Sequence, residues 1–434
     1  MSAEVGPSGR RRRMTADPRE EPDRAEGRPF AWDPDYLRTL ATAALLGLVV
    51  GALATAFIVG LRHVTGWVWP DASSYGTGFL DGEWWMVLLL AGAGLVVGVT
   101  RRLLGTPLAV NLFAELEEGR VDHHHVPAVL VTGFVSLVSG ASLGPEAPLA
   151  TLGGGMGTLA AERSGRDARV ESFAGISAAF GGLLGLPLFG TALALEIEHP
   201  HRIDYYRLIL PGLVASATGT GVFLAASDHT FLGVYDLGPT AFHWWYLAAA
   251  VPLGALGAGL AILCALMVGA MRRITAPLAG HTLLLPVVGG VLMGLVALAF
   301  PLTLFSGEHE LHVALHDAGH LGGWLMLAIA LAKLLTLATA MSTGFVGGPI
   351  FPLLFAGGMA GLCITAAFPD VPVAIAVSCV MAATPAAFAN VPVSMLVIVL
   401  VLLGGGVVAA PAAVAVVVAF SLTYGLGLFP PKPG

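Results

Sequence analysis

Charge is what this sequence has least of. Only 11% of its 434 residues are Asp, Glu, Lys or Arg, against about 25% in a soluble domain. A chain so short of charge, with a mean hydropathy of +0.82, cannot clothe a water-exposed globule, and no nucleic-acid partner is expected. Cysteine is nearly missing as well. Cys264, Cys363 and Cys379 stand far apart in apolar stretches, which excludes a disulfide framework and any Cys-x-x-Cys pair. There is no nucleotide-binding motif, so no cofactor is predicted.

What fills the chain instead is a succession of apolar runs from about residue 39 to 428, many of them near the ~20 residues that cross a bilayer. The pattern predicts membrane segments at 37–62, 84–104, 126–142, 147–161, 171–186, 187–199, 206–226, 244–271, 282–304, 322–342, 350–368, 371–388, 391–408 and 410–428. Several are short and abut at Gly or Pro. Pro187, Pro352, Pro392 and Pro411 mark such joints, since proline ends or kinks a helix. Irregular backbone survives at membrane depth only where protein buries it or it lines a cavity. The prediction is an all-α polytopic membrane protein with broken helices around a polar pathway.

Residues 1–35 are polar, mixed in charge and rich in Pro and Gly, which predicts a disordered tail. They lack the apolar core of a signal peptide, and Arg10–Arg13 would hold them on the cytoplasmic side of the cell membrane. A polar connection at 228–243 divides a first membrane repeat, 36–227, from a second, 244–430. Each repeat carries Gly- and Pro-rich backbone just before an apolar helix: SLGPEAPLATLGGG in the first, STGFVGGPIFPLLFAGG in the second. Broken helices at corresponding places in two halves point to a transporter's binding site.

In the first of these loops stands a lone acid, Glu146. Helix N-termini offer unpaired N–H groups and partial positive charge, and so attract anions. Glycines let backbone approach an ion closely. Two such termini would solvate a dehydrated anion without binding it too tightly to release, as conduction requires. A glutamate there would compete with the anion, and protonation would withdraw it. The bland alternative, an acid complementing a helix dipole, is worth only ~0.3–1 kcal/mol, less than the few kcal/mol that an acid at membrane depth costs.

GPEAP at 144–148 resembles the signature of the CLC chloride channels and proton-coupled exchangers, Gly-(Lys/Arg)-Glu-Gly-Pro. GGPIFP at 347–352, after Ser342-Thr343-Gly344, resembles that family's Gly-x-Phe-x-Pro loop. GLPLFGTALALEIE at 185–198 and Lys333 are similar to further family features, in matching order and spacing. The resemblance implies a CLC-like fold with two inverted-topology repeats, a homodimer in the bilayer with one pathway per subunit, and Glu146 as the gating and proton-carrying residue. It implies an anion site drawn from Thr106, Gly144, Ala147, Gly348, Ile350, Phe351 and Tyr424. Thr106 could equally cap a helix, and Tyr424 could equally anchor at the interface. The implied cargo is chloride, with fluoride or nitrate as alternatives, carried by a gated channel or a proton-coupled antiporter.

The chain also departs from the pattern. Pro145 replaces the basic residue and Ala147 a glycine. Pro349 falls where the family offers an N–H, and proline has none. In GLPLFGTALALEIE, Ile197 falls on the exchangers' inner proton glutamate, between Glu196 and Glu198. Those two acids are a possible inner proton path, although a structural role at the membrane edge suits Glu196 beside His199 or Arg202.

Two rival classes weaken on the same residues. GEHELHVALHDAGH at 307–320 sets His312, His316 and His320 at i,i+4 spacing, yet His309-Glu310-Leu311-His312 is one residue short of the HExxH of zinc enzymes. Solvated loop histidines are expected there, and likewise at His123–His125. No metal is predicted and no enzyme. A cation transporter would want several interior acids. An organic-anion carrier would want an interior arginine, whereas Arg101–Arg102 and Arg272–Arg273 sit at segment ends.

Overall fold

Apolar runs bounded by Gly, Pro and short polar turns become helices throughout the described residues. The computed structural model describes residues 34–69, 76–105, 121–198, 205–226, 235–238 and 240–428. The first half holds α1 (Pro34–Val68), α2 (Trp85–Leu104), α3 (Val126–Val138), α4 (Glu146–Ser164), α5 (Ala168–Leu184), α6 (Pro187–Glu198) and α7 (Tyr205–Ala226). The second holds α8 (Trp245–Thr275), α9 (Leu284–Ala299), α10 (Glu308–His316), α11 (Ala318–Leu321), α12 (Gly323–Thr343), α13 (Ile350–Ala367), α14 (Val373–Ala389), α15 (Pro392–Leu402) and α16 (Ala409–Thr423). No strand occurs among the described residues. Among the described residues, seven helices are long and apolar enough to cross a membrane, and several shorter apolar ones lie among them.

The two halves share a local pattern that fixes the centre of the molecule. Residues 144–154 and 348–358 both read Gly-Pro-x-x-Pro-Leu-x-x-x-Gly-Gly. Each Pro is the N-cap residue of the following helix, α4 or α13, where the missing N–H removes nothing a helix would use. The glycines one turn further in set the packing. A Cβ on Gly153 would strike the backbone of Gly175 in α5, and one on Gly361 would come within 2.7 Å of Val377 Cα in α14. Small residues therefore bring α4 against α5 and α13 against α14 at backbone contact, the usual way helices associate where lipid offers no hydrophobic drive. Helix α13 joins both apolar clusters of the interior, through Phe351, Leu354 and Met359 on one side and Leu353, Ala356 and Ala360 on the other.

Three expectations need correction or fall outside the described residues. The tail lies outside them, except that Pro34 and Asp35 already begin α1. The histidine segment is not a loop: 308–316 is helical, because Leu311 and Ala314 bury one face. His312 and His316 do share a face, with ring centroids 4.9 Å apart. The helix ends at His316, so His320 belongs to the separate short turn α11 and does not extend the row. In the 228–243 connection, Tyr235 is buried rather than solvated. Its N–H donates to Leu402 O and its hydroxyl to Glu308 O, both at 2.8 Å.

Candidate anion site

The two signature loops meet directly. Gly144 N–H donates to Gly348 O at 2.8 Å and Gly348 N–H to Gly144 O at 2.7 Å, an isolated antiparallel bridge. This reciprocal pair holds the N-termini of α4 and α13 together. It also engages two N–H groups that the sequence reading assigned to an anion, so in this arrangement Gly144 and Gly348 serve as hinges of the site rather than donors. A further tie fixes the second loop, where Val346 N–H donates to the Ser136 hydroxyl of α3 at 3.0 Å.

Glu146 lies inside this junction, 4% exposed. Its Oε1 accepts the Phe351 N–H at 2.9 Å, and the N–H groups of Ile350 and of Glu146 itself also bear on the carboxylate. Its Oε2 is buried without a hydrogen-bond partner. That oxygen fills the space where a Cβ on Gly144 or Gly348 would otherwise stand, the Cδ carbon being 2.5 and 2.6 Å from those two points. A carboxylate is thus seated where orphan N–H groups of two helices converge, which is a position built for an anion. Of the residues the resemblance implied, Gly144, Glu146, Gly348 and Phe351 meet at this junction, with Ala147 and Ile350 next to them in the chain.

The other candidates do not join them. Tyr424 follows α16 and is 71% exposed, its ring against Phe420, so it stands at the surface as an anchor would. Thr106 and the side chain of Glu198 lie outside the described residues. Glu196 is a helix cap: its carboxylate accepts the N–H groups of Val393 and Ser394 at 2.6 and 2.8 Å, and the Ser394 hydroxyl. It ties α6 to the N-terminus of α15, across the two halves. Of its suggested partners, His199 and Arg202 are outside the described residues.

Lys333, named above for its resemblance, and three charges that read as segment ends or loop residues prove to be buried or to bury an unpartnered atom. Lys333 is fully buried on α12. Its ammonium donates to the carbonyls of Thr303, Leu304 and Phe305 at 3.1, 2.8 and 2.8 Å and lies 4.9 Å from the centroid of the Phe355 ring. Arg101, at the end of α2, is 5% exposed. It sits against Gly344, and its Nε and Nη1 have no hydrogen-bond partner. Glu308 and Glu310 each bury an unpartnered Oε2. For Arg101, Glu308 and Glu310 the sequence offered only a placement beside loops, which cannot be distinguished from solvated segment ends. For a metal, Asp122, His123 and His124 offer ligand atoms within 4.8 Å of one another near the surface.

Paired broken helices at the centre, meeting N-terminus to N-terminus around a seated carboxylate, define an ion-transport protein of the helical repeat kind. The chain belongs to the CLC family: the model for the voltage gated chloride channel family matches residues 105–424. It is similar to a chloride/fluoride channel protein of Pseudomonas syringae pv. tomato, with 26% identity over 408 residues, 91% of this chain and 86% of that protein. Its fold is that of a CLC-type fluoride/proton antiporter (TM-score 0.74, 18% identity, covering 90% of this chain and 96% of that one). It is equally that of a slow cyanobacterial Cl−/H+ antiporter (TM-score 0.73, 19% identity, 91% and 96%).

Proposed function

We propose that the chain carries a small inorganic anion, chloride or fluoride, across the cell membrane between the N-termini of α4 and α13, and that Glu146 gates this passage by gaining and losing a proton. Ionised, the carboxylate takes the Phe351 N–H that the anion needs. Protonated, it loses about half of its hold on that donor, because a charged acceptor binds an N–H roughly twice as strongly as a neutral one. The anion then displaces it. The seated carboxylate is the observation that carries this reading, and the family membership agrees with it. The chain works as a homodimer with its N-terminus in the cytoplasm, as the resemblance implies.

The test is anion efflux from proteoliposomes with external pH recorded at the same time. Wild type is expected to show anion flux that rises toward acid pH, and Glu146→Gln to show flux without the wild-type pH control or proton movement. Pathway control passes to another group if Glu146→Gln keeps the wild-type pH profile. Proton movement at a fixed ratio to the anion identifies an antiporter, and its absence a proton-gated channel.

A further inference from the structure

A cavity of about 300 Å³ opens beside the gate. Its wall includes Pro145, the residue before Glu146, with Arg62 of α1, Trp69, Phe305, Glu308 and Glu310. Both acids belong to the first turn of α10, and the backbone beneath them is firmly held. Lys333 clamps the carbonyls of residues 303–305, Phe305 N–H donates to Gly140 O at 2.9 Å, and the Tyr235 hydroxyl donates to Glu308 O. First-turn acids ordinarily complement a helix dipole from solvent. These do not stand in solvent: Glu308 Oε2 and Glu310 Oε2 are both buried with no hydrogen-bond partner.

We propose that Glu308 and Glu310 form a proton station in this mouth, passing protons between the water on that side and Glu146. The idea rests on the gating role of Glu146 given above. Three carboxyl groups share the region with two cations. Arg62 of α1 and Glu146 of α4 act electrostatically on Glu308, and Lys333 of α12 and the neighbouring His309 act on Glu310. Helix α13, which also packs on α10, offers this corner the apolar Phe355. Carboxyl groups that line one cavity with their Oε2 atoms buried and unpartnered ionise together only at a cost, which suits them to hold and release a proton. Passing it inward breaks one O–H bond at Glu308 and forms one on Glu146, through water in the cavity, with no other bond changed. The same charge also controls entry. An ionised pair at the mouth repels an arriving anion, and a protonated pair admits it.

The test uses the full chain in proteoliposomes, with Glu308→Gln, Glu310→Gln, the double variant and Glu308→Asp. Size-exclusion profiles in detergent confirm that each is folded. At acid pH the Gln variants should keep anion flux within about twofold of wild type. After a pH step, the double variant should respond at least 10-fold more slowly, with the pH midpoint of flux displaced, and Glu308→Asp should recover part of the rate. An unchanged pH response in the double variant overturns the station, as does loss of anion flux at every pH in a folded variant. Glu146→Gln run in parallel separates the two ideas. If it abolishes pH control while the α10 variants change nothing, only the station fails; if it retains the wild-type pH control, the gating role fails first.

Discussion

Gly144→Ala should open the gate without disturbing the fold. Many glycines in this interior, Gly94, Gly157 and Gly175 among them, face backbone, where an added methyl would push helices apart. Gly144 is different: the nearest atoms to its would-be Cβ are Oε2, Cδ and Oε1 of Glu146, all at the mobile end of one side chain. Its φ is not in the left-handed region, so alanine can adopt the backbone conformation. The carboxylate must therefore leave its seat, and the preceding residue, Pro145, lines a cavity on one side of it. What it loses is the charged hydrogen bond from Phe351 N–H, worth about 1.5–3 kcal/mol. At 1.4 kcal/mol per factor of ten, the seated form becomes roughly 10- to 150-fold less favoured.

The assay is anion efflux at pH 8, where the wild-type carboxylate is seated. Gly144→Ala should raise this flux about tenfold or more, toward the level reached in acid, and flatten the pH profile. A double-mutant cycle tests the cause. Residues in contact are non-additive, so Gly144→Ala added to Glu146→Ala should change nothing further. Wild-type flux and pH dependence in a folded Gly144→Ala protein, or full additivity with Glu146→Ala, would refute the seat described here.

Lys333→Met removes a buried ammonium and strands three carbonyls. The cost should be about 3–5 kcal/mol, as when one partner of a buried charged pair is deleted, read as a Tm several degrees lower in detergent. Gly175→Ala drives a methyl into the backbone carbonyl of Gly153, where nothing flexible can yield. Unlike Gly144→Ala it should lower Tm and flux together. Glu196→Gln weakens the cap on α15, costing about 1–2 kcal/mol in thermal unfolding while proteoliposome flux persists. Near the surface, Asp122 is held below the usual carboxylate range by the backbone N–H and ring of His124. A depressed carboxyl stabilises above its unfolded value and loses that effect as pH falls through the folded one. Hydrogen exchange at 123–125 should therefore rise only in acid, below about pH 4.

The centre of the molecule was legible because its logic is local. Gly-Pro before an apolar helix specifies an N-terminus wherever it occurs, and its repetition at 144 and 348 specifies two. Glu146 stood out because a single acid among such residues has no cheap explanation. The bridge between Gly144 and Gly348 was not legible. Whether an N–H faces an ion or another carbonyl depends on how two loops 204 positions apart approach each other. Tyr424 shows the converse failure, since a residue type suited to the site stands in a tertiary position that keeps it outside.

The acids of α10 were hidden for a related reason. In GEHELH they sit among exposed histidines and read as a solvated turn, because the histidines point outward while the residues between them turn in. What acts on Glu308 and Glu310 is supplied from elsewhere: the charges of Lys333 from α12 and Arg62 from α1, and the Tyr235 hydroxyl, which holds the Glu308 carbonyl. The family signature has a basic residue beside its gating glutamate, and this chain has Pro145. Positive charge near the gate is instead carried by Arg62 and Lys333 across the cavity, each set against an acid. That exchange replaces a fixed cation, which attracts anions at any pH, by cations and acids on one cavity, whose net charge depends on protons in the proposed station. If the proposed station holds, anion entry should depend on acidity even before Glu146 is reached, and flux in Glu146→Gln should keep a weak pH dependence that Glu308→Gln with Glu310→Gln removes.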